Sequence, residues 1–292
     1  MIRRRLLLAA LVAATVSGAA VLSLSPAERA NGAGVTIERG IAYQGKAGPT
    51  LRVYRPDGID GPAPAVIVVH GGTWQHGDEG KMHRFAKRIA RAGFVVFKVG
   101  YTYATRRKGA WPRQLDDVKR GVRWVRRNAG RYGVDTSRIG AFGSSSGAHI
   151  VALLATKSRG GSLERGARVR AAVTWSAFFD LPRMRGHRFF NAIRTFLGCR
   201  ERRCGRKLRR ASPIRHVSAD DPAMLIVNAR AELAPLSQPR RMARKLRAKG
   251  VEARLELVRG RKHGARNADQ ALGPTIAYLR TQLGTASAGG SK

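Results

Sequence analysis

Short apolar runs alternate with amphipathic segments along most of the chain, and this alternation constrains the fold more than any other feature. The run Ala65–Val69 is wholly apolar, which is typical of a strand buried on both faces. The segment Trp111–Tyr132 carries its apolar residues three or four positions apart, as on one face of a helix. Strands and helices that alternate in this way build a mostly parallel sheet covered on both faces. We therefore predict an α/β protein with helices on both sides of a central sheet.

The same criteria predict the other elements. Residues Gly34–Gly58 alternate polar and apolar positions and end in a Pro-Asp-Gly turn, which predicts an antiparallel hairpin. Further strands are predicted at Phe94–Val99, Ile139–Phe142, Ala171–Trp175, Met224–Val227 and Ala253–Val258, and further helices at Lys81–Ala92, His149–Thr156, Pro239–Lys249 and Asp269–Leu283. Residues 34–284 form one predicted domain. Within it, residues 178–221 lack clear periodicity and are predicted to be a cap-like insertion over the carboxyl edge of the sheet.

The two ends of the chain differ from the rest. Three arginines at positions 3–5 precede an almost uncharged apolar run, Leu6–Leu24, and small residues follow it. This order is typical of a secretory signal, so residues 1–33 are predicted to be a signal peptide and the protein to be exported: secreted, periplasmic or associated with the cell wall. The alternative is an uncleaved membrane anchor, because the run approaches the ~20 residues that span a bilayer. The small, polar residues 285–292 are predicted to be a disordered tail.

The chain has two cysteines, Cys199 and Cys204, inside the polar part of the predicted insertion. In an exported protein such a close pair more often forms a local disulfide than a metal site. Two thiols with no second ligand pair nearby are also too few for a zinc site. We predict a disulfide between them and no bound metal.

The formal net charge of +38 is extreme, with 56 Lys and Arg residues against 18 Asp and Glu. Such density favours polyanions, because binding releases their counterions. The arginines are scattered along the chain, however, and no zinc finger, ribonucleoprotein box or helix-turn-helix motif accompanies them. We therefore expect no specific nucleic-acid partner, but a possible non-specific attraction to anionic cell-wall polymers or a membrane surface.

The segment Gly143-Ser144-Ser145-Ser146-Gly147 lies between a predicted strand and a predicted helix. This is the context in which the G-x-S-x-G pattern marks a nucleophilic serine. Only Ser145 has a glycine two positions before it and two after it. A helix N-terminus behind the hydroxyl also favours developing negative charge. The pattern predicts Ser145 as a nucleophile, against the simpler interpretation of a Gly/Ser-rich turn that caps a helix.

A second glycine motif, His70-Gly71-Gly72-Thr73-Trp74, follows the first buried strand. Glycines let backbone amides approach a substrate closely enough to bind an oxyanion. We predict an oxyanion hole made of the amides of Gly72, Thr73 and Ser146. His70 is expected to be a structural hydrogen-bonding residue.

A nucleophilic serine needs a base, and the base needs an orienting acid. His263 follows the strand Ala253–Val258 and is the predicted base, whereas His149 lies in the helix of the nucleophile and should point away. Glu232, just beyond the strand Met224–Val227, is the predicted acid. Asp180 follows the preceding strand and is its competitor.

With these residues in place, the sequence resembles the α/β-hydrolase superfamily, in its feruloyl-esterase-like and hormone-sensitive-lipase-like esterase branch. The resemblance implies an acyl-serine intermediate and no cofactor. Two departures stand out: relatives read Gly-x-Ser-Ala-Gly-Gly where Ser146 and Ala148 stand here, and they carry an aspartate in a His-Gly-x-x-Asp segment where Asn228-Ala229-Arg230-Ala231-Glu232 stands.

Together these patterns predict an exported serine hydrolase that cleaves small-molecule carboxylic esters. Two alternatives stay open. The same machinery could cleave amides, as an arylformamidase or a small peptidase does, or the chain could be a catalytically weak polyanion-binding wall protein on a hydrolase scaffold. The sequence leaves the acyl group, the alcohol and the oligomeric state undetermined.

Overall fold

A computed structural model describes residues 34–285, except residues 46, 60, 78, 159, 161, 162, 164 and 165. Its centre is an eight-stranded sheet with the strand order β1-β2-β4-β3-β5-β6-β7-β8. The strands are β1 Val35–Ala42, β2 Thr50–Pro56, β3 Ala63–Val69, β4 Val95–Val99, β5 Val134–Ser144, β6 Ala171–Trp175, β7 Ala223–Ala229 and β8 Ala253–Val258. Strand β2 pairs antiparallel with both β1 and β4, and all other neighbours are parallel. The predicted hairpin and the mostly parallel sheet are confirmed.

Eight α-helices connect the strands in the described part of the chain. They are α1 Glu79–Arg91, α2 Arg113–Arg127, α3 Ala129–Tyr132, α4 Ser146–Lys157, α5 Phe190–Leu197, α6 Gly205–Arg210, α7 Ser237–Arg247 and α8 Ala268–Leu283. Helices α1 and α8 pack their apolar residues into the core on one face of the sheet. Helices α2, α4 and α7 pack into the core on the other face. The sheet is therefore covered on both sides, as predicted.

Strand β3 shows why a continuous apolar run is such a strong signal in this sequence. Successive side chains of a strand point to opposite faces. Ile67 accordingly packs into one core and Val66 and Val68 into the other, and all three are fully buried. No position of this strand faces solvent, so none could be polar without burying an unpaired polar group.

The predicted helix over residues 111–132 is divided in the structure. Helix α2 begins at Arg113, directly after Pro112, and ends at Arg127. Asn128 separates it from the single-turn helix α3, and the residue after α3, Gly133, lies in the left-handed region with φ 62°. Glycine adopts this conformation without the cost that a Cβ atom would impose. The apolar spacing alone did not reveal the interruption.

The segment 178–221 joins β6 to β7 and so begins at the carboxyl edge of the sheet. It contains helices α5 and α6 and three short 3₁₀ turns, at Leu181–Met184, Glu201–Arg203 and Pro213–His216. Phe178, Phe179 and Phe196 are fully buried and belong to the hydrophobic core. They anchor the segment to the sheet, whereas Phe189 is partly exposed.

Cys199 and Cys204 form the predicted disulfide, which joins the end of α5 to the start of α6. The predicted signal peptide, residues 1–33, lies outside the described residues, as do residues 286–292 of the predicted tail. Within the described residues, no helix is both long and apolar enough to cross a bilayer.

Candidate active site

Ser145 stands on a sharp turn between β5 and α4, with backbone angles φ 55° and ψ −120°. Non-glycine residues rarely adopt this strained conformation, which costs of order 1–3 kcal/mol and is concentrated at functional sites. The flanking glycines make the turn possible. A Cβ on Gly143 would lie 2.5 Å from the carbonyl oxygen of Gly147, and one on Gly147 would lie 2.2 Å from the carbonyl oxygen of Val69. The pattern G-x-S-x-G is thus a steric requirement of this turn.

The structure brings Ser145, His263 and Glu232 together from three separate loops at the carboxyl edge of the sheet. Ser145 Oγ lies 2.8 Å from His263 Nε2. His263 Nδ1 forms a short hydrogen bond with Glu232 Oε2. With Nδ1–H donated to the carboxylate, Nε2 carries the lone pair that can accept the serine proton. The three side chains therefore form a continuous hydrogen-bonded chain in the order serine, histidine, acid.

The Glu232 side chain is fully buried, and its second oxygen is held by two donors. Oε1 accepts hydrogen bonds from the Ser176 hydroxyl at 2.7 Å and from the Ala229 amide at 3.0 Å. The Ser176 oxygen in turn accepts from the amide of Gly264, the residue after His263, at 2.8 Å. One hydroxyl thus links the acid to the loop that carries the base.

Ser176 was not identified from the sequence. It follows β6 directly and has a positive φ of 57°. This strained backbone turns its hydroxyl towards residues that are 56 and 88 positions away along the chain. A lone serine after a buried strand carries no pattern that would have indicated this role.

Asp180, the competing acid, lies elsewhere. Its carboxylate is buried and forms ion pairs with Arg241 at 3.3 Å and Arg183 at 3.4 Å. Gln238 accepts hydrogen bonds from the amides of Phe179 and Asp180, which fixes this part of the chain. Asp180 is therefore engaged with arginines, and Glu232 is the acid in contact with His263.

His149 is fully buried in helix α4 and faces away from the cleft. Its Nδ1 accepts from the Trp74 indole at 3.3 Å, and its Nε2 donates to the carbonyl of Ala211 at 2.7 Å. Burial lowers the pKa of His149 to about 4, so the ring is neutral near pH 7. His70 stacks on Tyr101 with ring centroids 4.5 Å apart. The contacts of His149 and His70 are therefore those of structural residues.

The loop with the predicted oxyanion residues has three consecutive positive φ angles: 122° at Gly72, 52° at Thr73 and 62° at Trp74. The Trp74 side chain is fully buried and stacks on Phe196, with centroids 4.6 Å apart. In the described part of the chain, the amides of Gly72 and Thr73 donate to no backbone carbonyl. They are therefore available to a ligand.

The third predicted oxyanion donor, Ser146, begins helix α4, where amide groups have no partner from a preceding turn. Its hydroxyl instead lies 3.5 Å from the hydroxyl of Tyr101, which donates to the carbonyl of His70 at 3.1 Å. These contacts tie the serine turn to the strand end that precedes Gly72.

Ser145 lies in the wall of a cleft of about 730 Å³. Gly72, Thr73 and His263 line this cleft together with the serine. The predicted nucleophile, the predicted base and two predicted oxyanion donors therefore line one solvent-accessible cleft, as acyl transfer would require. Among the described residues, no group of three or more His, Cys, Asp and Glu side chains could hold a metal ion.

The chain is similar to known proteins in sequence and in fold. Residues 51–246 match the BD-FAE family. Among curated proteins, the chain is 29% identical over 205 residues to the probable carboxylic ester hydrolase LipM of Mycobacterium tuberculosis, which covers 66% of this chain and 47% of LipM. It is 29% identical over 208 residues to the esterase LipQ of the same organism, covering 68% of this chain and 49% of LipQ. The chain thus spans about half the length of these relatives.

Solved structures share the fold. A truncated carbohydrate esterase from gut microbiota superposes with a TM-score of 0.74 at 24% identity, covering 85% of this chain and 96% of that one. Esterase 2 of Thermogutta terrifontis with propionate bound gives a TM-score of 0.69 at 22% identity, covering 88% of this chain and 97% of that one. These likenesses establish the α/β-hydrolase fold. With the match over residues 51–246, the chain belongs to the BD-FAE family, in the esterase branch of the α/β-hydrolase superfamily.

Proposed function

We propose that the protein is a serine hydrolase that cleaves carboxylic esters through an acyl-serine intermediate. The observation that carries this proposal is the chain of hydrogen bonds from Ser145 through His263 to the buried Glu232. The strained backbone of Ser145 supports the proposal, because such strain lowers the stability of the fold and is found mainly where it serves a function.

The reaction would proceed in two stages. In the first, Ser145 Oγ attacks the acyl carbon while its proton passes to His263 Nε2. The tetrahedral oxyanion accepts hydrogen bonds from the amides of Gly72, Thr73 and Ser146. His263 then gives the proton to the departing alcohol, which leaves the acyl group on the serine. In the second stage His263 takes a proton from the water that attacks the acyl carbon. It then returns this proton to Ser145 Oγ as the bond to the acyl group breaks, which releases the acid and the free serine.

Glu232 would act through His263. Its carboxylate holds Nδ1–H, fixes the ring orientation and stabilises the imidazolium that forms in both stages. The two donors to its other oxygen hold it in place. Glutamate is one methylene longer than the aspartate of related enzymes, and its anchoring by Ser176 and Ala229 accommodates the extra length.

The names of the relatives support an ester, not an amide, as the substrate of this chain. LipM is named a probable carboxylic ester hydrolase and LipQ an esterase. Both would place this chain among enzymes for small-molecule esters. An arylformamidase or peptidase activity would use the same residues, so kcat/KM on an ester and an amide of matched acyl group discriminates between them. We expect the ester to be preferred by orders of magnitude.

Hydrolysis of short p-nitrophenyl esters tests the proposal. Wild-type protein should hydrolyse them, and Ser145→Ala should reduce kcat by at least about 10³-fold. The neighbouring Ser144→Ala is the matched control and should retain most activity. Equal losses in both variants, or no hydrolysis by the wild type, would contradict the proposal.

The acid is assigned by a second pair of variants. Glu232→Gln should lower kcat strongly, because a neutral amide cannot stabilise the imidazolium. Asp180→Asn should leave kcat within a few-fold of wild type, since the Asp180 carboxylate pairs with arginines and not with the base. The reverse result would transfer the role to Asp180.

We further propose that the protein is exported, with residues 1–33 as the signal peptide. Support comes from the composition of this segment and from the Cys199–Cys204 disulfide, because disulfides persist in oxidising compartments. The +38 charge would add a non-specific attraction to anionic cell-wall polymers or membrane surfaces. N-terminal sequencing of the protein from the culture medium or cell envelope tests export. A full-length, cytosolic product would contradict it.

A further inference from the structure

We infer that the cleft around Ser145 selects esters that carry a negatively charged group close to the scissile bond. The inference rests on the proposed esterase function and adds the class of substrate. Cationic side chains from three separate elements line this cleft. Helix α1 contributes Lys81, the segment 178–221 contributes Arg188, and the loop around His263 contributes Arg261, Lys262 and Arg266.

A protein with 56 basic residues has cations on most of its surface, so their number alone does not mark a site. Elsewhere, however, acidic residues pair with neighbouring arginines. Asp135 lies 2.6 Å from Arg138, and Glu38 lies 2.8 Å from Arg131. No acidic residue stands among the described residues that line the cleft. Within the described part of the chain, no lining residue compensates the positive charge of the cleft.

The cations of the cleft are available to a ligand. Arg188, Arg261, Lys262 and Arg266 are exposed, and none of them forms an ion pair with the described part of the chain. The Glu232 side chain is fully buried and is bonded to His263 and Ser176. Within the described part of the chain its ion-pair partner is His263, and it pairs with none of the cations that line the cleft.

Part of the remaining wall is apolar. Phe189, Leu233 and Ala265 line the same cleft, and Phe189 stacks on the buried Phe178 with centroids 4.8 Å apart. A substrate that fits both features has an apolar acyl or alcohol body next to Ser145 and an anionic group that reaches the cationic mouth. A cleft with one sign of charge raises the association rate of oppositely charged ligands by about 10 to 10³-fold at low ionic strength.

Two pairs of matched substrates test this inference. The first pair is the p-nitrophenyl monoester of glutaric acid and its methylated, neutral counterpart, which place a carboxylate on the acyl side. The second pair is acetylated glucuronic acid and its acetylated methyl ester, which place a carboxylate on the alcohol side. In at least one pair, we expect kcat/KM of the anionic member to exceed that of the neutral member at least about tenfold near 20 mM salt. The ratio should fall to a few-fold near 0.5 M salt.

A charge-neutralised variant localises the effect. Arg261→Gln, Lys262→Gln and Arg266→Gln together should reduce the anionic-to-neutral ratio to near one. The matched control removes the same charge where helices α1 and α7 end, at the opposite edge of the sheet. It combines Arg91→Gln, Arg244→Gln and Lys249→Gln, three exposed residues that do not line the cleft. Its ratio should equal that of the wild type.

The possible outcomes are distinguishable. A wild-type ratio near one in both pairs, with the neutral esters still hydrolysed, overturns the inference and leaves the esterase proposal intact. An equal loss of the ratio in the control variant assigns the preference to the overall charge and also overturns it. Failure to hydrolyse any ester of the two pairs contradicts the proposed function itself. If the triple variant does not fold, the salt dependence of the wild-type ratio still tests the inference, and a ratio that does not fall with salt overturns it.

Discussion

The hydroxyl of Ser176 connects the acid and the base of the candidate site, and its removal is the most informative single change. Ser176→Ala deletes the donor to Glu232 Oε1 and the acceptor of the Gly264 amide. A hydrogen bond to a charged group contributes about 1.5–3 kcal/mol, and a stranded buried amide costs a further ~1–3 kcal/mol. Glu232 keeps the Ala229 amide, so it remains near His263 but is less firmly held.

If this loss raises the activation free energy by about 1.5–3 kcal/mol, kcat/KM falls roughly 10- to 100-fold. The control is Ser212→Ala. Ser212 is also buried, accepts from the Leu181 amide at 3.0 Å and donates to the Leu208 carbonyl at 2.7 Å, but does not line the cleft. Both variants should lower the free energy of unfolding in urea titrations, and only Ser176→Ala should lose activity. Activity of Ser176→Ala within twofold of wild type would refute the reasoning.

Three further predictions concern stability. Burial lowers the pKa of His149, so between about pH 6.5 and about pH 4 the ring binds a proton in the unfolded chain but not in the folded chain. About 3 kcal/mol of folding stability should therefore be lost as the pH falls through this range. Urea unfolding at several pH values measures this loss, which should be absent from His149→Gln. Gly147→Ala should lower the free energy of unfolding by at least about 3 kcal/mol or prevent folding, because its Cβ would collide with backbone atoms. Gly130→Ala places its Cβ where no atom lies within 4 Å, so it should be neutral or stabilising by about 0.5 kcal/mol. Thermal melts of the two variants measure the difference. Reducing the Cys199–Cys204 disulfide should destabilise the protein by about 2 kcal/mol, measured by unfolding with and without reductant.

The centre of the sheet could be predicted because strands β3, β4 and β6 are buried on both faces. The predicted strands Ala171–Trp175 and Ala253–Val258 agree with β6 and β8 at both ends. Strand β5 extends from Val134 to Ser144, well beyond the predicted Ile139–Phe142. Val134 pairs with Ala63, and a register shift separates this pair from the regular pairing that begins at Ile139. Apolar periodicity reports burial, so it locates the buried centre of an element better than its ends.

The site was predictable where local sterics leave a pattern. The glycines around Ser145 are such a case, since a Cβ at Gly147 would collide with the backbone at the end of strand β3. His263 could be found because parallel strands end at one edge of the sheet. Ser176 could not, because its role depends on a positive φ and on partners far away in sequence. The pairing of Trp74 with His149, 75 positions apart, was invisible for the same reason.

The basic residues that line the cleft show a different limit of prediction from sequence. The sequence shows 56 basic residues but not which of them converge. Lys81, Arg188 and Arg261 are far apart along the chain and line one cleft only because the fold brings their three elements together. Composition predicted attraction to anions in general, and we infer that it is directed to this cleft.

The central claim is that Ser145 is the nucleophile, and covalent labelling tests it most directly. A fluorophosphonate probe should attach to the wild-type protein in a single copy, and peptide mass spectrometry should locate the adduct on Ser145. Ser144→Ala and Ser146→Ala are matched controls within the same five-residue turn and should still be labelled, whereas Ser145→Ala should not. No labelling of the wild type, or equal labelling of Ser145→Ala, would contradict the account.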